Sequence, residues 1–282
     1  HPYACYLNSN TSGLHLAVNI LKRRYGWQDG DEIITTPVTF VSTNHAILYE
    51  NLKPVFADVD QYLCLDPADV EKKITGKTRA VIFVGYGGRV GQLDKVLEIC
   101  KQHGLHLILD AAHMSGTRVN GVTPGTWEGV DVAVYSYQAV KNLPTGDSGM
   151  ICFADGELDA ECRKVSWMGI NKDTYSRTSS EGTYKWNYGV DYVGYKYNGN
   201  AIMAAIALAQ LPYLDEENAR RREIVKMYNE GFSKNPKIQI VPAPHPEECS
   251  FHIYELIVPD REALLSELAK NDIYGGVHYR DN

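Results

Sequence analysis

The sequence predicts an α/β fold in which a mostly parallel central sheet is flanked by helices. Two observations support this. Short apolar runs of strand length alternate with helical patterns through the first two-thirds of the 282 residues. The last third changes character and follows an α+β pattern, which indicates a second, smaller unit.

Four apolar runs predict buried strands in order along the chain, at residues 31–36, 53–58, 79–84 and 105–110. Helices connect them. One spans residues 94–103 and is followed by Gly104, the residue type that helix C-termini favour. A further strand is predicted over residues 130–137, and residues 150–153 are expected to return beside it.

The C-terminal part of the sequence, from about residue 200, predicts a different order of helices and strands. A helical stretch from about residue 200 to residue 230 leads out of the sheet, residues 237–241 and 250–258 predict strands around a Pro-rich loop, and residues 261–271 predict a helix. We therefore expect a large domain over residues 1–210 and a smaller C-terminal α+β domain over residues 211–282. Because the chain starts at His1 rather than Met, the sequence leaves open whether either end is complete.

Composition argues against several functional classes. With 44% hydrophobic residues and a net charge of −7, the chain is globular rather than disordered, and its scattered basic residues do not favour nucleic acid. The six cysteines contain no C-x-x-C pair, so we expect no zinc or redox motif and no other metal site. Neither an apolar run of about 20 residues nor a signal peptide is found, so we expect a cytoplasmic protein without a membrane span.

Two polar residues follow predicted strands. Asp110 ends the strand at 105–110, at the edge where open α/β sheets bind ligands, although a helix cap or an ion pair is an equally good interpretation. Lys141 follows the strand at 130–137 and precedes a Gly-containing turn. Taken alone, Lys141 is better interpreted as an ordinary exposed lysine.

Seven segments follow a shared pattern in order and spacing along nearly the whole chain: residues 9–17, 30–34, 36–43, 54–60, 110–113, 136–141 and 194–198. Each segment is weak alone, but together they make a specific match. The chain resembles the DegT/DnrJ/EryC1/StrS family of sugar aminotransferases, which have the aspartate aminotransferase fold, fold type I. This resemblance implies pyridoxal 5′-phosphate (PLP), or its pyridoxamine form, as cofactor.

The resemblance assigns roles around the cofactor ring. Lys141 matches the lysine that binds the cofactor covalently and relays protons, and Asp110 matches the carboxylate that keeps the pyridine nitrogen protonated. These two, with His113, are the expected catalytic residues. His113 matches the contact to the ring oxygen O3′, although a structural histidine is the alternative. Phe40 matches the aromatic that stacks on the ring, or is simply a core residue.

The phosphate is expected to bind hydroxyl and amide donors. Thr11 and Ser12 open a predicted helix, where the dipole and unpaired N–H groups favour an anion, although both residues are also ordinary helix caps. Ser136 supplies a further hydroxyl. Asn198 matches a residue that reaches the phosphate from the second subunit, which implies a homodimer with shared active sites; otherwise Asn198 is a polar turn residue.

Three features depart from the family pattern or are specific to this chain. Residues 83–88 lack a histidine that relatives often carry, and Asp147 stands where a glutamate is usual, one methylene shorter. Residues 167–188 are rich in aromatic and amide side chains, as expected of a loop that handles a sugar nucleotide or of an interface loop.

The resemblance implies an enzyme that moves an amino group from an amino acid, L-glutamate by family analogy, to a keto group on a nucleotide-linked deoxysugar. Within the same family, a PLP-dependent sugar dehydratase is the alternative, but the relatives compared carry a histidine where this chain has Lys141. A non-catalytic, PLP-binding regulator is the alternative from another class. The joint presence of Asp110, His113 and Lys141 argues against it.

Overall fold

The computed structural model describes residues 1–171 and 188–281. A seven-stranded sheet organises the chain, with spatial order β1-β7-β6-β5-β4-β2-β3. β7 runs antiparallel to its neighbours β1 and β6, and the other pairs are parallel. The strands are β1 Tyr3–Leu7, β2 Glu32–Thr35, β3 Lys53–Phe56, β4 Thr78–Val84, β5 His106–Asp110, β6 Val132–Ser136 and β7 Gly149–Phe153.

The strand register brings the carboxyl ends of the central strands to one edge. Val84 at the end of β4 pairs with Asp110 at the end of β5, and Asp110 pairs with Val134 near the end of β6. Residues in β5 alternate between two cores, since Leu107 packs on one face of the sheet and Ile108 on the other. Because both faces are covered, the carboxyl edge is where polar side chains can gather.

Helices cover both faces. The first, α1, begins after the cap residue Ser9 and ends at Gly26, whose φ of 67° is left-handed; the stretch from Ser12 to Leu21 is entirely buried. The helices are α1 Asn10–Tyr25, α2 Ser42–Tyr49, α3 Pro67–Lys73, α4 Leu93–His103, α5 Gly156–Val165, α6 Ala201–Gln210, α7 Leu214–Phe232 and α8 Arg261–Ala269.

The predicted α/β sheet is confirmed, with strand ends shifted by one or two residues. β1, an edge strand in which aromatic and small residues mix, was not predicted. The predicted helical stretch from 200 to 230 consists of α6 and α7, separated by a 3₁₀ turn, Leu211–Tyr213, that contains Pro212. The proposed boundary between residues 210 and 211 falls at this turn, and the division into two domains stays a prediction.

The predicted strands in the tail are wrong in extent. Only β8 Gln239–Ile240 and β9 Leu256–Ile257 pair with each other. The reason is tertiary: the amide of Ser250 donates to the Thr117 hydroxyl at 3.1 Å, and the amide of His252 donates to the Gly87 carbonyl at 3.0 Å. These groups bind loops of the main sheet instead of forming a ladder.

All six cysteines are free and buried, as expected of small apolar side chains. In the described part of the chain, no helix is both long and apolar enough to cross a membrane. Residues 172–187, most of the aromatic segment at 167–188, lie outside the described residues.

Candidate active site

A cavity of about 370 Å³ lies at the carboxyl edge of β4, β5 and β6, beside the start of α1. Six of the eight predicted site residues line it, although they come from separate segments of the sequence. They are Thr11, Phe40, Asp110, His113, Ser136 and Lys141. The structure therefore brings these six residues together at one cavity, and their roles stay predictions.

Asp110 is a buried carboxylate at the end of β5, with 4% of its surface exposed. It accepts hydrogen bonds from the Thr43 hydroxyl at 2.8 Å, the Ala112 amide at 3.1 Å and the Asn10 side-chain amide at 3.5 Å. Burial raises the pKa of Asp110, while these donors and the charge of Lys141 oppose that rise. Among the described residues no Lys or Arg lies within ion-pair distance of Asp110, so this carboxyl group is open to pairing with a cationic ligand group.

Lys141 lies in a turn just beyond β6, where its backbone amide donates to the Gln138 carbonyl at 2.8 Å. Burial lowers the pKa of Lys141 to about 8, although the negative charge of Asp110 opposes this shift. A lysine in such surroundings has a substantial neutral fraction near pH 8, which makes its amine a usable nucleophile and base.

His113 is held in one tautomer by the backbone. The Gly87 amide, which can only donate, lies 3.2 Å from Nδ1 of His113, so Nδ1 is the unprotonated nitrogen. Burial, reinforced by the positive charge of Lys141, keeps the pKa of His113 well below its usual value. The ring is therefore neutral, with its proton on Nε2, which lies 3.4 Å from the Tyr279 hydroxyl.

Gly87 is required by this arrangement for two reasons. Its φ of 64° is left-handed, and a Cβ there would overlap the carboxylate of Glu255 and the guanidinium of Arg89. Those two side chains form a buried ion pair at 2.7 Å that ties the turn after β4 to the C-terminal segment.

The N-terminus of α1 has a geometry suited to binding an anion. Ser9 caps the helix by accepting from the Ser12 amide at 3.1 Å, and among the described residues nothing accepts from the amides of Asn10 and Thr11. Gly149 permits this placement, because a Cβ there would lie 2.6–2.8 Å from backbone atoms of Ser9 and Asn10.

Two predicted residues are not brought into the cavity. Ser12 is buried and its hydroxyl lies 2.7 Å from Oδ1 of Asn8, to which it donates. Asn198 lies beside β1, where its amide donates to the Gly199 carbonyl and its oxygen accepts from Lys196, each at 3.1 Å. A contact of Asn198 with a second subunit stays a prediction.

Phe40 and Ser136 line the cavity in different surroundings, since Phe40 is exposed and Ser136 is buried at the end of β6. Phe40 keeps 55% of its surface exposed and meets the Tyr279 ring edge-on, with centroids 5.6 Å apart. The hydroxyl of Ser136 accepts from the Gln138 amide at 3.4 Å. Asp147 also lines the cavity, and burial raises its pKa.

Among the residues that the sequence-based prediction missed are Asn10, His252 and Tyr279, which line the cavity, and Thr43, which donates to Asp110. Asn10 and Thr43 lie within or beside matched segments, so their polarity next to the predicted phosphate and ring contacts was a usable signal. His252 and Tyr279 belong to the C-terminal part of the chain, and their local sequence does not indicate that they line the cavity.

Comparisons with known proteins agree with this geometry. A family model described as the DegT/DnrJ/EryC1/StrS aminotransferase family matches residues 1–282. The spore coat polysaccharide biosynthesis protein SpsC of Bacillus subtilis is 37% identical over 263 residues, which cover 93% of this chain and 65% of SpsC.

Solved structures of two proteins show the same fold. The sugar aminotransferase CalS13 from Micromonospora echinospora superposes with a TM-score of 0.88 at 30% identity, covering 99% of this chain and 74% of CalS13. A sugar aminotransferase from Streptococcus pneumoniae, described in a PLP form and a pyridoxamine form, superposes with TM-scores of 0.86 and 0.87 at 27% identity, again over 99% and 74% of the two chains.

The chain thus spans about two-thirds to three-quarters of the length of these relatives. Together with the match of the family model over all 282 residues, the shared fold confirms the predicted resemblance. The chain belongs to the DegT/DnrJ/EryC1/StrS aminotransferase family.

Proposed function

We propose that the chain is a PLP-dependent aminotransferase. It moves an amino group from an amino acid, L-glutamate by the family resemblance, to a keto group on a nucleotide-linked deoxysugar. The observation that carries this proposal is one cavity that two groups border. One is Asp110, a buried carboxyl group with no Lys or Arg of the described residues at ion-pair distance, and the other is Lys141, an amine of lowered pKa.

The residues present fit PLP. The amides at the start of α1, with the hydroxyls of Thr11 and Ser136, suit a phosphate. Asp110 suits a protonated pyridine nitrogen, and the Nε2 proton of His113 suits a phenolic oxygen. When bound, PLP supplies a ring that withdraws electrons from the bonds at the amino donor's Cα.

The side chains have distinct tasks in the reaction. Lys141 would hold the cofactor covalently and, once released, its Nζ would take the proton from Cα of the amino donor. In the second half-reaction Nζ would deliver a proton to the sugar carbon. Its lowered pKa makes both transfers accessible near neutral pH. The exposed ring of Phe40 provides a stacking surface at the rim.

Sugar as the amino acceptor is supported by the relatives. CalS13 is described as a sugar aminotransferase, and SpsC as a protein of spore coat polysaccharide biosynthesis. The nucleotide carrier and the glutamate donor rest on the family resemblance. A sugar dehydratase is disfavoured, because the family resemblance implies a histidine in that branch at the position where this chain has Lys141.

A homodimer with shared active sites is part of the proposal. Helix α6 is apolar all round yet buries none of its residues, and Ile202 and Leu208 are 71% and 70% exposed. Such a helix belongs in an interface. The helix also lies next to the pocket rim, since the Gly146 amide is 3.3 Å from the Met203 sulfur, so a second copy covering α6 would approach the cavity.

Absorbance spectroscopy tests the function. After incubation with PLP, the protein should show the visible band of the lysine-bound cofactor, which L-glutamate should bleach. A panel of keto-sugar nucleotides added next should restore the band only for true acceptors. A protein that stays colourless with PLP, or a Lys141→Ala variant that still turns over, would contradict the proposal.

A further inference from the structure

His252 is a pocket residue to which the reaction described above assigns no task. It lies on the segment that binds the main sheet instead of pairing as a strand, and it lines the cavity. Its ring is 4.3 Å from that of His113, tilted by 37°. Its Nδ1 lies 2.9 Å from Oδ1 of Asn142, the residue that follows Lys141.

Two carboxamides fix the tautomer of His252. Asn218 donates to the Ser115 carbonyl at 3.0 Å, and Asn142 donates to the Ser250 carbonyl at 2.9 Å and to Oδ1 of Asn218 at 2.7 Å. Because backbone carbonyls only accept, the nitrogen of each amide must face its carbonyl. The oxygen of Asn142 therefore faces His252 and accepts the proton on its Nδ1.

The other nitrogen of His252, Nε2, is consequently an unprotonated acceptor. Burial lowers the pKa of His252 to about 3, and the positive charges of Lys141 and Arg221 and the nearby His278 act in the same direction, so the ring is neutral. The side-chain hydrogen bond that His252 makes with the described residues is at Nδ1, and Nε2 takes part in none of them. His113 has the opposite tautomer, so the two rings offer one donor and one acceptor.

The unprotonated Nε2 of His252 restricts the ligand groups that can bind it. A lone pair repels carboxylate and phosphate oxygens and accepts from hydroxyl or ammonium groups. The amino donor offers two carboxylates and one amine, and that amine is the group transferred. The keto sugar offers several hydroxyls, which makes it the better match.

We propose that His252 is a specificity-determining residue whose Nε2 accepts a hydrogen bond from a hydroxyl of the acceptor sugar, and that Asn142 is the positioning residue that fixes its tautomer. The proposal rests on the function proposed above.

The tautomer can be read without any substrate. Long-range ¹H–¹⁵N correlation spectra of the PLP-loaded protein should show His252 protonated on Nδ1, with the His252→Gln variant used to assign its signal. Asn142→Leu removes the acceptor that faces Nδ1, so it should release this tautomer. A His252 protonated on Nε2 in the wild type would overturn the proposal whatever the enzyme turns over.

Kinetics then separate the two substrates. His252→Leu should raise KM for the keto-sugar nucleotide by roughly tenfold, as for the loss of one hydrogen bond, and leave the glutamate half-reaction unchanged. His252→Gln, which retains an acceptor, should recover part of the loss. His245→Leu, at an exposed histidine outside the cavity, is the matched control.

The outcomes distinguish the two proposals. If the wild type aminates a sugar of the panel and His252→Leu has an unchanged KM for it, the inference is wrong and the proposed function stands. A wild type that binds PLP but aminates no keto sugar contradicts the proposed function and the role of His252 with it.

Discussion

The hydroxyl of Thr43 donates a hydrogen bond of 2.8 Å to Oδ2 of Asp110. The two residues are 67 positions apart, one in α2 and the other at the end of β5. Burial alone would favour the neutral carboxyl, and the Thr43 hydroxyl counteracts this by lowering the pKa of Asp110. The contact therefore supports the charge that the proposed role of Asp110 requires.

Thr43→Val should weaken the enzyme without unfolding it, because valine has nearly the same shape. Loss of a hydrogen bond to a charged group predicts a decrease in kcat/KM of roughly 10- to 100-fold. Removing the donor also raises the pKa of Asp110, so the acid limb of the pH–rate profile should move to higher pH.

Thr126→Val, at an exposed position in the 3₁₀ turn Pro124–Thr126, provides the control. A pH profile of Thr43→Val that coincides with that of the wild type would argue against any influence of Thr43 on the ionisation of Asp110.

The amine of Lys141 should titrate at unusually low pH in the cofactor-free protein. Burial lowers its pKa to about 8 from the ordinary value of 10.5, and the charge of Asp110 opposes this. Below about pH 8 the amine is protonated and unreactive, so labelling by an amine-directed reagent should rise through that pH. Asp110→Asn removes the opposing charge and should move the midpoint lower still.

Mass spectrometry of labelled peptides measures this midpoint, with the exposed Lys270 as an internal reference for reagent decay. A midpoint that rises in Asp110→Asn would mean that the two groups do not interact as the structure indicates.

A pair of glycine variants should separate backbone strain from steric overlap. Gly87 and Gly104 share a φ of 64°, but a Cβ at Gly104 meets nothing within 4 Å, whereas one at Gly87 overlaps Glu255 and Arg89. Gly104→Ala should cost about 1–2 kcal/mol of unfolding free energy from conformation alone. Gly87→Ala should cost clearly more, because it also disturbs a buried ion pair.

Urea unfolding measures both values through the midpoint and slope of the transition. Equal losses in the two variants would show that the Arg89–Glu255 pair moves aside without cost.

Local sequence predicted the part of the pocket that strands position. Asp110 and Lys141 follow predicted strands, and the parallel register then brings the carboxyl ends of those strands together. The start of α1 was equally predictable from the sequence, because Ser and Thr residues before a helical pattern indicate a helix N-terminus.

The tail could not be predicted in the same way. Residues 250–258 have the apolar alternation of a strand, but the Ser250 and His252 amides donate to groups more than 100 positions away, Thr117 and Gly87. The periodicity of a sequence shows which residues are apolar. It does not show which groups form hydrogen bonds with the backbone amides and carbonyls. The same limit hid the contact between Asn142 and His252.

The exposed helix α6 should hold two copies of the chain together. Leu208→Asp places a charge where 70% of an apolar side chain is exposed, and it should shift the protein from dimer to monomer in sedimentation experiments. Ile273→Asp, at an exposed isoleucine outside α6, is the control. A wild type that sediments as a monomer would remove the basis for shared active sites.

Subunit mixing tests whether the sites are shared as well as adjacent. Asn198→Ala should weaken cofactor binding, since its proposed phosphate contact crosses to the partner, and Lys141→Ala should abolish turnover. Each homodimer is then defective in both of its sites at limiting PLP. In a two-fold dimer with crossed contributions, a mixed dimer combines Lys141 of one subunit with Asn198 of the other in one intact site.

Random exchange of equal amounts makes half of the dimers mixed, so the mixture should regain about a quarter of the wild-type activity. If each site is instead built from a single chain, a mixed dimer contains one site without Lys141 and one without Asn198. The mixture then shows no more activity than the average of the two variants, because no pairing brings the two wild-type residues into the same pocket.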